Sequence, residues 1–182
     1  MPETAGETLS GKPIVLAKAL HGHAAVLIAG FSRAGGAGTG DWVKSIHTDP
    51  AFNGVDVYQI AMLAGAPSLL RGMIRSSMKR GLSPAQQVNF VILTDDEKLW
   101  RAYFEVSADD EPYVLLIDEK GKVLWHGHGQ AASLEPQLKA ALHQAHSLLL
   151  PGVKTETYST RNSAQPCAAS STCSAFVVGR RF

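Results

Sequence analysis

An uninterrupted apolar segment in the first third of the chain constrains the fold more than any other feature. It covers residues 24–31 and reads AAVLIAGF. A strand that faces water on one side alternates polar and apolar residues, whereas an unbroken apolar run of this length is typical of a strand buried on both faces. The sequence therefore predicts a central strand in a sheet that helices cover on both sides.

Strand-like and helix-like patterns alternate along the rest of the chain. Strands are predicted at residues 14–16, 55–62, 88–93, 113–117 and 123–128, and helices at residues 40–47, 67–80, 97–104 and 133–149. Parallel strands need helical crossovers, and the turn at residues 118–121 predicts an antiparallel hairpin. We therefore expect an α/β fold of three layers, α/β/α, with a mixed central sheet that ends in a hairpin and a helix.

The composition changes after residue 150. Residues 1–150 carry the predicted elements, whereas residues 151–182 are rich in Ser, Thr and Ala without apolar periodicity, which predicts a poorly ordered, low-complexity tail. Both cysteines of the chain, Cys167 and Cys173, lie in this tail. A disulfide-stapled scaffold is therefore excluded for the folded part.

Four glycines, Gly35, Gly36, Gly38 and Gly40, follow the central strand closely. The sequence predicts a glycine-rich loop that feeds the helix at residues 40–47. Backbone N–H groups at such a helix start can bind an anion, with Arg33 as a second contact. The segment matches neither a Walker loop nor a dinucleotide fingerprint. The simpler interpretation, which we prefer, is a flexible loop where catalysis has been lost.

The order of elements resembles the thioredoxin-like fold. In redox members of that superfamily the strand before the active site ends in Phe, and Cys-x-x-Cys begins five residues later. Counting from Phe31 places Gly36 and Thr39 at the two cysteine positions. Residues 111–118, EPYVLLID, with Gly121 and Val123 after them, resemble the strand that begins with a cis-proline in that superfamily, followed by its hairpin. The resemblance covers residues 9–149 and implies that Pro112 faces the glycine-rich loop.

A narrower resemblance concerns the hairpin. Residues 112–118 with residues 124–131, LWHGHGQA, are similar to the mitochondrial ATP synthase assembly factor family. Members of that family are thioredoxin-like and are linked to assembly chaperoning rather than to thiol chemistry. The resemblance implies an assembly or chaperone role, with a protein as partner.

Thiol–disulfide exchange needs a thiolate at the helix start, and the predicted loop contains no sulfur. We therefore expect no enzymatic thiol activity there and interpret the chain as a redox-inactive binding or assembly protein. Its candidate contact residues are Arg33, Gly35, Gly36, Gly38, Thr39, Gly40, Trp42, Pro112 and Trp125. The alternative is an oxidoreductase that uses Cys167 and Cys173.

Two His-x-His motifs offer a second alternative. Residues i and i+2 share one face of a strand, so His126 and His128, or His21 and His23, can point the same way. Two histidines are an incomplete ligand set, and the simpler interpretation is polar residues at strand ends. We prefer His126 and His128 if either pair binds a metal, and we expect no other cofactor.

The charge pattern gives limited information about partners. The net charge of +1 predicts no nucleic-acid partner. Arg71, Arg75 and Lys79 form a basic stripe on one predicted helix, typical of a solvated face or of contact with an anionic surface. Neither a membrane span nor a signal peptide is apparent, which predicts a cytoplasmic protein, or an exported one if a leader has been removed.

Overall fold

The computed structural model describes residues 1–149, which all belong to one compact unit. The strands are β1 (Ala5–Thr8), β2 (Pro13–Val15), β3 (Ala25–Gly30), β4 (Asp56–Met62), β5 (Phe90–Leu93), β6 (Tyr113–Ile117) and β7 (Val123–His128). The helices are α1 (Leu16–Ala19), α2 (Arg33–Thr48), α3 (Ser68–Arg80), α4 (Pro84–Val88), α5 (Glu97–Tyr103) and α6 (Ala131–Leu149), with a short 3₁₀ turn at Pro50–Phe52. The predicted tail, with Cys167 and Cys173, lies outside the described residues.

The strands form one mixed sheet in the order β2-β1-β5-β4-β3-β6-β7. The central strand β3 pairs in parallel with β4 and antiparallel with β6, and β7 continues the sheet as an antiparallel hairpin partner of β6. Every residue of β3 is buried, as the unbroken apolar run predicts. The mixed α/β sheet expected from the sequence is confirmed.

Helices cover both faces of the sheet. On one face Trp42 of α2 and Leu138 of α6 pack on alternate residues of β3 and β6 such as Val26. On the opposite face Leu16 of α1 and Trp100 of α5 pack on the intervening residues. The three layers therefore follow from the period-two alternation of two apolar faces.

The structure adds elements that the sequence pattern did not predict, namely strand β1, the short helices α1 and α4, and the 3₁₀ turn. Strand β1 is too short and polar to show alternation, and its pairing between β2 and β5 stabilises it. Helix α4 has little apolar periodicity but carries a capping box between Ser83 and Gln86, which is a local signal for a helix start. Of the residues in β1 and α4, only Val88 carried a prediction, as the start of a strand. The order of these two elements comes from neighbours or caps rather than from a buried stripe.

The glycine-rich segment is not a loop, and this prediction is wrong. Helix α2 begins at Arg33, so the four glycines lie in its first turns rather than before it. Ser32 is the N-cap, and its Oγ accepts a hydrogen bond from the N–H of Gly35 at 3.1 Å. Glycine disfavours a helix by about 1 kcal/mol, and here the cap and tertiary packing outweigh that preference.

Candidate functional site

The start of α2 packs directly on the segment before β6. A Cβ atom added at Gly35 would lie 2.7 Å from the carbonyl oxygens of both Asp109 and Glu111. One added at Gly38 would lie 2.9 Å from Cγ of Pro112. The absence of side chains at Gly35 and Gly38 therefore lets the helix approach the Pro112 segment closely, which is a packing role rather than a ligand-binding one.

The neighbouring glycines face open space. A Cβ atom at Gly36 or Gly40 would meet no heavy atom within 4 Å, and both residues lie beside exposed positions of α2. Arg33 is also exposed. Of the contact residues predicted from the sequence, these three are therefore accessible at the start of α2.

Thr39 is not available as a nucleophile. Its side chain is 2% exposed, its Oγ1 donates to the carbonyl oxygen of Gly36 at 2.7 Å, and it accepts a hydrogen bond from Nε2 of Gln59 at 2.5 Å. No histidine or carboxylate among the described residues hydrogen-bonds to this hydroxyl. Thr39 therefore fixes the helix against β4 and offers almost no exposed surface to a partner.

The predicted contact role of Trp42 is wrong, because this side chain is fully buried. Its indole Nε1 donates to the carbonyl oxygen of Gly129 at 2.7 Å, so it joins α2 to the end of the hairpin. Pro112 is also buried, against Gly38. Trp125 is half-buried and packs into the core on the α2 and α6 face, so it is mainly a packing residue.

A network of polar contacts holds the Pro112 segment against α2. The guanidinium of Arg101 binds both carboxylate oxygens of Asp109 at 2.6 and 2.9 Å, and Ser32 Oγ donates to the backbone carbonyl of Asp109 at 2.6 Å. The Arg101 hydrogen bonds lower the pKa of Asp109 and raise that of Arg101. The Tyr113 hydroxyl accepts from the N–H groups of Ser107 and Ala108. The position of Pro112 is therefore well determined by its surroundings.

Sequence reasoning did not single out Ser32, Arg101 or Gln59. Ser32 had a detectable signal, since a serine directly before the glycines is a common N-cap. Arg101 and Gln59 contact residues far away in the sequence, and no local pattern identifies such partners.

An open cleft separates the start of α2 from α3, and we call it the α2–α3 cleft. Its volume is about 850 Å³. The lining includes Phe31, Arg33, Gly36, Thr39, Met62, Leu63, Met73, Ile74, Met78, Arg80, Leu82, Phe90 and Glu97. Most of these side chains are apolar, so the cleft can hold an apolar group next to Gly36 and Thr39.

A second groove of about 840 Å³ lies on the other side of α2. Small residues such as Ala34 and Ala132 form part of its lining together with Pro112, and its charged lining residues are Asp41, Lys44, Asp110, Glu111 and Glu135. Carboxylates therefore predominate in this groove, in contrast to the mostly apolar α2–α3 cleft.

His126 and His128 lie side by side on the exposed face of the edge strand β7. Each is close to one carboxylate: His126 Nε2 is 3.3 Å from Glu105, and His128 Nδ1 is 2.5 Å from Glu111. Within residues 1–149, no three His, Cys, Asp or Glu side chains form a ligand cluster. The metal assignment stays a prediction, and the geometry adds one neighbouring carboxylate for each histidine.

Two members of the predicted basic stripe contact acceptors within the protein. Arg71 donates to the carbonyl oxygens of Ala64 and Ala66, and Arg75 forms an ion pair with Glu7 at 2.6 Å. Contact of this stripe with an anionic surface stays a prediction. No helix within residues 1–149 combines the length and the apolar character needed to cross a membrane.

Comparisons with known proteins identify the fold. No family model matches the chain, and neither does any curated protein. Solved structures do match it. A putative thiol:disulfide interchange protein DsbE from Chlorobium tepidum is 23% identical with a TM-score of 0.52, covering 78% of this chain and 94% of that one.

Two further structures match over a similar length. BsSco, a member of the Sco family of cytochrome c oxidase assembly proteins, has a TM-score of 0.54 at 16% identity and covers 79% of this chain and 91% of its own. The exposed lipoprotein thioredoxin Etrx1 of Streptococcus pneumoniae has a TM-score of 0.51 at 17% identity, and the match covers 76% of this chain and 99% of that one. At these identities the likeness establishes the fold alone. The chain has a thioredoxin-like α/β fold, as its sequence predicts.

Proposed function

We propose that this protein is a thioredoxin-fold binding protein of the assembly or chaperone type, without thiol chemistry at the start of α2. The observation that carries this proposal is the pair of residues at the two superfamily cysteine positions. Gly36 has no side chain, and the Thr39 hydroxyl is buried and bonded on both sides. A nucleophile is therefore missing where the superfamily places one, while the supporting structure is intact.

The surroundings support a binding role. The tight contact between Gly38 and Pro112 and the Arg101–Asp109 ion pair keep this end of the sheet ordered. Arg33, Gly36 and Gly40 remain accessible beside the α2–α3 cleft. One of the matching structures belongs to a family of assembly proteins, and the hairpin resembles the ATP synthase assembly factors. An ordered surface without a nucleophile is suited to holding a partner protein.

Affinity capture with the full chain tests the binding role. The double variant Arg33→Glu with Gly40→Glu changes the accessible positions of α2, and Lys120→Glu in the exposed hairpin turn is the matched control. We expect a specific partner to be enriched by the wild type and the control and lost with the double variant. Capture of abundant chaperones alone, equal for all three proteins, would contradict the proposal.

An insulin-reduction assay tests the absence of thiol catalysis. We expect the wild-type chain and Cys167→Ser to reduce insulin no faster than the dithiol reductant alone. Turnover by the wild type that disappears in Cys167→Ser would instead establish the oxidoreductase alternative through Cys167 and Cys173.

A further inference from the structure

Helix α3 is attached to the protein by few contacts. None of its residues is buried. Ile74 and Met78 are partly buried against a small cluster that includes Phe90, whereas Leu69 is 94% and Met73 is 70% exposed. Apolar surface therefore continues from the wall of the α2–α3 cleft onto the outer side of α3. Exposed apolar surface of this kind marks interaction sites more often than chance.

The cleft also carries uncompensated positive charge. Arg33 and Arg80 both line it, and neither forms a hydrogen bond or ion pair with another described residue. The carboxylate that lines the cleft, Glu97, is already bonded to Arg101 Nε at 2.8 Å. The cleft thus combines apolar walls with two free guanidinium groups, which favours an occupant that is both apolar and anionic.

We propose that the α2–α3 cleft binds an amphipathic helix of a partner protein whose apolar stripe is flanked by Asp or Glu residues. This inference rests on the proposed function and specifies its partner. A site for a small ligand encloses most of the ligand surface. The α2–α3 cleft is open, and its apolar surface continues outward to the exposed Met73 and Leu69, which favours a larger occupant. An apolar helix face needs such a groove, and flexible methionine side chains on the wall adapt to it.

Synthetic helical peptides test the ligand chemistry with the full-length protein. The probe is a labelled amphipathic helix with a leucine stripe flanked by glutamates. One control peptide carries lysines in place of the glutamates, and another carries serines in place of the leucines. By fluorescence anisotropy we expect the glutamate peptide to bind at least about tenfold more tightly than either control. Equal binding of the glutamate and lysine peptides would overturn the proposal.

Matched variants locate the site. Met73→Glu places a carboxylate on the cleft wall, and Leu99→Glu changes a similarly exposed leucine on α5. We expect Met73→Glu to raise the Kd of the glutamate peptide about tenfold or more and Leu99→Glu to leave it unchanged. Arg80→Gln removes one rim charge, and we expect a Kd about two- to fivefold higher with a weaker salt dependence. Unchanged binding by Met73→Glu would overturn the assignment to this cleft.

Two further outcomes separate the possible occupants. The protein could bind anionic phosphatidylglycerol vesicles more tightly than the glutamate peptide and lose that binding in Met73→Glu. This result would overturn the proposal of a partner helix and identify a lipid surface as the occupant. Absence of peptide binding, with partner capture still dependent on Arg33 and Gly40, would overturn this inference and leave the proposed function standing. If the protein neither binds the peptide nor captures a partner in a way that depends on Arg33 and Gly40, the proposed function is overturned as well.

Discussion

Helices α2 and α3 lie on the same face of the sheet but are attached to it in opposite ways. Helix α2 buries Trp42 completely and brings two glycines against backbone carbonyls and Pro112. Helix α3 buries no residue and exposes Leu69 and Met73 to solvent. The difference indicates that α2 fixes the geometry of the site, whereas α3 provides a surface that can adapt to a partner.

Truncating one side chain in each of these helices should change the free energy of unfolding by very different amounts. We expect Trp42→Ala to lower the free energy of unfolding by about 3–5 kcal/mol, because it leaves a large cavity and an unpaired Gly129 carbonyl. Leu69→Ala should change it by less than about 0.5 kcal/mol, since that side chain is 94% exposed. Urea unfolding followed by circular dichroism measures both. Comparable losses would show that α3 is packed more firmly than its exposure indicates.

The glycines within α2 provide a finer test of the same contrast. Gly35→Ala should destabilise the protein by about 2–3 kcal/mol, because its methyl group would overlap the carbonyl oxygens of Asp109 and Glu111. Gly36→Ala, one residue along the same helix, should stabilise it by about 0.5–1 kcal/mol through helix propensity. Thermal unfolding of the two variants is sufficient. A stabilising Gly35→Ala would mean that the helix does not approach the Pro112 segment so closely.

Acid should weaken the attachment of the Pro112 segment by a smaller amount. Arg101 lowers the pKa of Asp109 below its ordinary value of 3.8. The stabilisation from this pair is therefore complete above about pH 4 and is lost as the pH falls through the lower pKa of the folded state. Asp109→Asn should reduce the slope of the unfolding free energy against pH in that range, as urea unfolding at a series of pH values measures. Identical slopes for the wild type and Asp109→Asn would show that the pair contributes nothing.

The sequence predicts the part of this structure that depends on local patterns. The buried run of β3, the hairpin at Asp118 and the stripe of α6 all follow from period and turn chemistry. The start of α2 does not follow from a local pattern. Clustered glycines predict a loop, and only a tertiary contact explains why they lie in a helix here. The contact of Gly35 with the carbonyls of Asp109 and Glu111 spans about half of the described chain, and no local signal reports it.

The candidate site shows the same limit. Counting from Phe31 placed Gly36 and Thr39 at the two cysteine positions, which stays a prediction. The sequence also predicted a contact role for Trp42, whose side chain is fully buried. The cleft itself depends on how far α3 stands from α2, which is a property of packing. The sequence pattern therefore did not identify Met73 or Arg80 as part of the wall of a cleft.

The positions of the indole rings have an optical consequence. Trp42 and Trp100 are fully buried and hydrogen-bonded to Gly129 and Thr4, and Trp125 packs on the α2 and α6 face. None of these three side chains lines the α2–α3 cleft. Their emission should report whether the interior is intact and should hardly respond to a molecule that docks beside Met73. A titration that changes the signal of a labelled ligand and leaves the intrinsic ultraviolet emission unchanged would therefore separate association from unfolding in a single cuvette.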